Sequence, residues 1–139
     1  MRPHRAHVFL SAGGRILFED RVLYPEFRRR MMSADEAATL IAPGDRVGMS
    51  GFTGAGYPKA VPGALAQRMQ AAHARGEDFR IGLWTGASTA PELDGVLAQA
   101  QGISMRMPYQ SDPSCRKQIN AGQMQYMDIH LSHVAPYVW

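Results

Sequence analysis

Three glycines, a threonine and a lysine fall within the nine residues Gly51-Phe52-Thr53-Gly54-Ala55-Gly56-Tyr57-Pro58-Lys59, continued by Ala60-Val61-Pro62. Glycines let backbone N–H groups come close to a bound group, and a helix beginning just beyond favours negative charge. Thr53, Gly54 and Gly56 therefore suit the cradling of an anion or an acyl oxygen. The competing reading is a tight strand-to-helix turn, which needs the glycines but not Thr53. Lys59 steers anions towards such a loop or is an ordinary exposed lysine. A second small-residue stretch, Thr85-Gly86-Ala87-Ser88-Thr89-Ala90, offers Thr85, Gly86, Ser88 and Thr89 for the same task. Ser88 or Thr89 equally suits the cap of a helix starting at Pro91.

Two common phosphate motifs are excluded. A phosphate-binding G-x-x-x-x-G-K-[ST] loop fails because Tyr57-Pro58 separates Gly56 from Lys59. A G-x-G-x-x-G dinucleotide fingerprint fails because Lys59 stands where the third glycine belongs. Arg106, Arg116 and Lys117 are candidates to receive phosphates, against a default of scattered surface charge. Cys115, near a helix start and two cations, is a candidate reactive thiol, against the commoner small half-buried thiol. Asp128, His130 and His133 invite a metal, but three or four ligands with supporting partners are needed and no such set is evident. Asp128 as a helix N-cap beside two polar histidines is the better reading, and no metal is expected.

The elements that must carry these residues follow from periodicity and punctuation. Ser33-Ala34-Asp35-Glu36 is a capping box opening a helix over 37–41, which ends at Pro43-Gly44. A strand over 47–50 leads into the glycine loop. A helix over 61–74 carries Val61, Leu65, Met69 and Ala72 on one face and stops at Gly76. Residues 79–85 form a second strand, apolar enough to be buried on both faces. Pro91 starts a helix that Gly102 closes, and strands over 103–107 and 124–127 flank a turn and a helix over 115–120. Alternating strand, loop and helix predict an α/β fold, a partial open parallel sheet with crossover helices. Both small-residue loops then lie along the carboxyl edge of that sheet. The closing stretch from Asp128 to Trp139 shows neither a polar tail nor a terminal helix. So few helices leave one sheet face bare, so the chain reads as cut short.

The 139 residues suit one small domain, and 45% of them are hydrophobic, enough for a modest core. The net charge of +3 is unevenly spread: residues 1–30 hold seven of the fifteen basic residues and three of the twelve acids, leaving eight against nine beyond. The near-neutral remainder shows no nucleic-acid footprint. A single cysteine excludes an internal disulfide framework and fits a reducing compartment. No apolar run reaches the roughly 18 residues of a membrane span. The early arginines loosely suggest a transit peptide, but an unstructured or differently started extension, with Met31 and Met32 as alternative starts, is favoured.

SGFTGAGYPKAVP, TGAST with PELDG, PYQSDP and DIHLSH together resemble the acetyl-CoA hydrolase/transferase family within the class I CoA-transferases, nearest to succinyl-CoA:acetate CoA-transferases. The resemblance runs from about residue 21, where Arg21-Val22-Leu23-Tyr24-Pro25 looks like a family start, to residue 139. Residues 1–20 lie outside it as an extension, expected to be disordered. It implies an open α/β fold, cytoplasmic acyl-CoA chemistry with a short carboxylate such as acetate, a homodimer, and no partner nucleic acid or membrane. Coenzyme A enters as a thioester substrate, and no covalently bound cofactor is implied. The family's ping-pong route runs through an acyl-glutamyl anhydride and a glutamyl-CoA thioester, which needs an activated carboxylate and oxyanion donors. Its nucleophilic glutamate lies later in the family's chain. Glu19, Glu26, Glu36, Glu77 and Glu92 are poor substitutes, so no catalytic residue is assigned. The expectation is an N-terminal portion of such an enzyme, inactive alone, supplying a substrate-binding rim. The alternative is a non-enzymatic ligand-binding or interaction module, or the remnant of a disrupted gene.

Overall fold

The computed structural model describes residues 22–87 and 91–138, and the chain divides into two units, residues 1–33 and 34–139. In the first, Pro25 opens a single helical turn, α1 (Pro25–Arg28), whose fixed φ suits a helix start. Arg28 Nε donates to the Val22 carbonyl at 3.0 Å, and the Tyr24 and Phe27 rings meet edge to face at 5.4 Å.

The second unit is the α/β body. Helix α2 (Ala34–Thr39) starts directly after Ser33 with Glu36 as its third residue, the register a capping box requires. Strand β1 (Arg46–Gly48), helix α3 (Ala60–Ala74) and strand β2 (Ile81–Trp84) form the first βαβ crossover. A π-helical turn over Pro91–Gly95 runs into α4 (Val96–Gln99) and leads to β3 (Ile103–Met107). Helix α5 (Pro113–Asn120) then precedes β4 (Gln125–Tyr126). Gly76, at φ +79°, follows α3 as its stop, as expected. The stop of α4 is Gln101, which takes the left-handed conformation at φ +54°, one residue before the predicted Gly102. Gly102 is instead packed under Met69, where a Cβ would lie 2.1 Å from the sulfur.

The four strands are parallel and lie in sequence order, β1-β2-β3-β4. Crossovers of the usual right-handed sense then set their helices on one face of the sheet. Val47, Leu83 and Arg106 share a row on that face, where Leu65 and Met69 of α3, Leu97 of α4 and Cys115 of α5 complete the core. On the other face Gly48, Trp84 and Met107 are in register. Met107 is buried, but none of the three joins the main core cluster under the helices, so this is the face left without crossover helices. Strand β2 is buried on both faces only in part. Gly82 is shielded by the stem of Arg46, whose Cγ stands 3.5 Å from where a Cβ would be, while Trp84 is only half-buried.

The closing stretch departs from expectation. Leu131–His133 form a 3₁₀ turn and Val134–Val138 a terminal helix, α6. The residue preceding it is His130, not Asp128, and the His130 Nδ1 accepts from the Ser132 N–H at 3.3 Å. A ring nitrogen one residue before the turn reaches its orphan donors, whereas Asp128 lies two residues too early.

Candidate functional site

The glycine loop leaves β1 and folds back on itself. The Phe52 N–H donates to the Ala55 carbonyl at 2.9 Å, the Ala55 N–H returns to Phe52 at 3.0 Å, and Ser50 Oγ closes the neck on the Gly56 carbonyl at 2.9 Å. Gly51, at φ +144°, can only be glycine: a Cβ there would stand 2.7 Å from the Tyr57 Cβ. Thr53 sits at φ +51°, a strained value for a β-branched residue. Its N–H donates to the Ala87 carbonyl at 2.6 Å, joining the first loop to the second. Gly86 packs so tightly that a Cβ would come within 1.7 Å of the Gly51 carbonyl oxygen. Thr53, Gly54, Gly56, Thr85 and Gly86 therefore lie on two touching loops at the carboxyl ends of β1 and β2, the rim where open α/β sheets hold ligands. Ser88 and Thr89 lie outside the described residues. Lys59 occupies the N-cap position of α3 but caps no N–H with its side chain, so the helix start keeps its positive end.

Beneath the rim lies an ion pair that the sequence did not suggest. Arg106 and Asp94 are both fully buried, with Arg106 Nε 2.7 Å from Asp94 Oδ1. The rest of the guanidinium is used as well: Nη2 donates to the Gly86 carbonyl and Nη1 to the Pro108 carbonyl, both at 3.0 Å. Arg106 thus braces the loops after β2 and β3, and neither phosphate receipt nor surface charge describes it. A detectable signal existed. Asp94 is spaced three before Leu97 and four before Ala98, on the apolar helix face where an acid needs a buried partner.

Beside the loops a cavity of about 430 Å³ opens between the ends of β2 and β3 and the segment after β4. Trp84, Met107, Pro108, Ile129 and Val134 supply apolar walls, and Phe52, Gly86 and Ala87 connect it to the rim. Two further lining groups are polar: Trp84 Nε1 and Thr85 Oγ1 are buried without a hydrogen-bond partner among the described residues.

The remaining candidates settle into structural roles. Tyr57 Oη donates to Glu92 Oε2 at 2.6 Å, which lowers the Glu92 pKa, helped by its own backbone and by Lys59. The same bond raises the Tyr57 pKa. The Lys59 ammonium lies over the Tyr57 ring, 5.0 Å from its centroid. Glu77 forms a bidentate pair with Arg75. A carboxylate held this way is a weaker nucleophile, so neither glutamate is poised to attack. Cys115 is fully buried, and burial first, then Asp94 and Asp112, pushes its thiol up to about 12. Arg106 alone pulls the thiol down, and desolvation outweighs it. Among the described residues no group of three or more His, Cys, Asp and Glu could hold a metal ion, and no helix is long and apolar enough to cross a membrane.

Comparison with known proteins gives these loops a context. Residues 17–138 match the family model of the acetyl-CoA hydrolase/transferase N-terminal domain. A succinyl-CoA:acetate CoA-transferase of Clostridium kluyveri is 42% identical over 120 residues, 86% of this chain and 22% of that protein. A propanoyl-CoA:succinate CoA transferase of Escherichia coli is 46% identical over 107 residues, 77% of this chain and 22% of that protein. An acetyl-CoA hydrolase of Kluyveromyces lactis is 38% identical over 116 residues, 84% of this chain. The chain spans about a fifth of the length of these curated relatives, 22% in each case.

Proposed function

Since the chain belongs to the acetyl-CoA hydrolase/transferase family, we propose that it supplies the acyl-binding rim of an acyl-CoA:carboxylate CoA-transferase or acetyl-CoA hydrolase acting in cytoplasmic acetate metabolism. The observation that carries this reading is the 2.6 Å hydrogen bond from the Thr53 N–H to the Ala87 carbonyl, which makes the two small-residue loops one surface. In this reading the N–H groups of Gly54 and Gly56, with the hydroxyls of Thr53, Thr85, Ser88 and Thr89, receive a substrate carboxylate or a thioester oxygen. The uncapped start of α3 adds favourable potential for the negative charge. Such donors, fixed before substrate arrives, stabilise oxygen charge without reorganising.

The carboxylate that attacks the thioester belongs, in this proposal, to a part of the enzyme that these residues do not supply. Glu92 and Glu77 are held by Tyr57 and Arg75, which supports that view. The working enzyme would be a homodimer using acyl-CoA and a short carboxylate such as acetate. A thiol-release assay with acetyl-CoA or succinyl-CoA plus acetate tests it. The 139-residue chain is expected to bind acetyl-CoA, seen as a saturable rise in Tm, and to release no thiol above background. Robust turnover by this polypeptide would disprove the assignment of the nucleophile elsewhere, and absence of any acetyl-CoA binding would remove the rim itself.

A further inference from the structure

One short turn, Pro91–Gly95, reaches the loops from two sides. Asp94 points inward to Arg106, which donates to the Gly86 and Pro108 carbonyls of the loops after β2 and β3. Glu92, two residues earlier and exposed, accepts the Tyr57 hydroxyl at 2.6 Å. Tyr57 packs in turn against Gly51, where a Cβ would stand 2.7 Å from the Tyr57 Cβ. The Gly51 carbonyl lies against Gly86, so the contacts run without a break from Glu92 to the second loop. We propose that the Tyr57–Glu92 hydrogen bond is a latch that sets the acyl-CoA affinity of the rim, with Tyr57 and Glu92 as positioning residues acting through Gly51. The inference rests on the rim reading and deepens it.

The glycine loop needs such a tether. Thr53, at φ +51°, holds a conformation that a β-branched residue disfavours, so something outside the loop must fix it. The Thr53 N–H bond to the Ala87 carbonyl is one tie, and the latch at Tyr57 is the other. Gly54 and Gly56 lie between the two, so the N–H groups proposed to meet the ligand are pinned from both ends. A loop ordered in advance loses less freedom on binding. An unlatched loop binds only in the fraction of molecules that keep the competent shape, and apparent affinity falls in proportion.

Exposure separates this bond from the buried Asp94–Arg106 pair. A polar contact at the surface adds little to global stability, so releasing it loosens the loop and leaves the body folded. The Tyr57 hydroxyl, then Glu92's own backbone and Lys59, lower the Glu92 pKa, so the carboxylate stays ionised at neutral pH and the bond is charge-assisted. The Lys59 ammonium covers the Tyr57 ring, 5.0 Å from its centroid.

The test titrates the 139-residue chain with acetyl-CoA, following amide chemical shifts, in wild type, Tyr57→Phe, Glu92→Ala and Glu92→Gln. Tyr57→Phe and Glu92→Ala should each weaken binding by about three- to tenfold, with the urea midpoint of the free chain nearly unchanged. The double variant should bind no more weakly than either single one, because the same bond is lost in all three. Glu92→Gln keeps an acceptor for the hydroxyl and should recover most of the affinity. Its remaining deficit against wild type should be present above the ordinary carboxylate range and vanish as pH falls through the lowered Glu92 value, where wild type loses its charge too. Without ligand, loss of the latch should already shift the Gly51, Gly54 and Gly86 amides. Equal affinity of wild type, Tyr57→Phe and Glu92→Ala, or losses that add in the double variant, overturns the latch and leaves the rim standing. Failure of the wild-type chain to bind acetyl-CoA removes the rim reading itself, and the latch's effect on affinity with it.

Discussion

Replacing Asp94 by alanine leaves the Arg106 guanidinium buried with its charge uncompensated. The two side chains are fully buried and meet at 2.7 Å between Nε and Oδ1 and 3.4 Å between Nη2 and Oδ2, so their charge centres are about 4 Å apart. At an effective dielectric of about 20 that separation is worth about 4 kcal/mol, in line with the ~3–5 kcal/mol lost when one partner of a buried pair is removed. A domain of this size holds only about 5–15 kcal/mol in all, so the change is severe. It should appear in urea unfolding as a lower midpoint at unchanged slope, and in thermal unfolding as a drop of roughly 10–15 °C. The double substitution Asp94→Leu with Arg106→Met removes both charges together and with them the desolvation cost of each. It forfeits the donors to the Gly86 and Pro108 carbonyls, about 1 kcal/mol apiece, so its loss should be near 2 kcal/mol and smaller than that of Asp94→Ala alone. If Asp94→Ala costs less than about 1 kcal/mol, or the double variant is the worse of the two, the pair is not the brace described here.

Other expectations follow from single contacts. Gly86→Ala should force the two loops apart, because its Cβ would stand 1.7 Å from the Gly51 carbonyl oxygen; acetyl-CoA-induced stabilisation should vanish while the wild-type chain keeps it. Asp112→Ala removes the carboxylate that caps α5 through the Ser114 and Cys115 N–H groups, at 2.8 and 3.0 Å, and should cost about 1 kcal/mol in chemical denaturation. Cys115, with a thiol pushed up to about 12, should resist alkylation at pH 8 in the native chain and react freely in urea. Because its folded pKa is raised, its contribution to stability is complete below the unfolded value of about 8.5 and is lost as pH rises from there towards about 12. A native thiol that labels as fast as the denatured one contradicts its burial.

The order of elements was legible because glycine and proline punctuate this chain at nearly every boundary. The third strand, Ile103–Met107, lies where an apolar run between Gly102 and Pro108 predicts it. The meeting of the two loops was also foreseeable, since successive parallel strands deliver their following turns to one edge. The buried pair was not read. Arg106 sits between two methionines in a five-residue strand and resembles surface charge, while acids at Glu92 and Asp94 are accounted for by a helix's first turn. Only the packing of the π-helical turn after β2 against β3, a tertiary contact, shows that Asp94 and Arg106 meet. The cavity was hidden for the same reason, as its walls come from four separate stretches of chain. The terminal helix was missed because a proline inside a short apolar stretch argues locally against one, although Pro136 falls in its first turn, where proline is tolerated.

The central claim is that residues 51–57 and 85–87 act as one acyl-binding rim. Amide chemical-shift mapping during titration with acetyl-CoA tests it most directly. The account predicts that both stretches respond together, with the same apparent Kd. Shifts confined to the opposite edge of the sheet, in the polar hollow around Arg80, Gln101 and Gln123, or a response from one loop without the other, would contradict it.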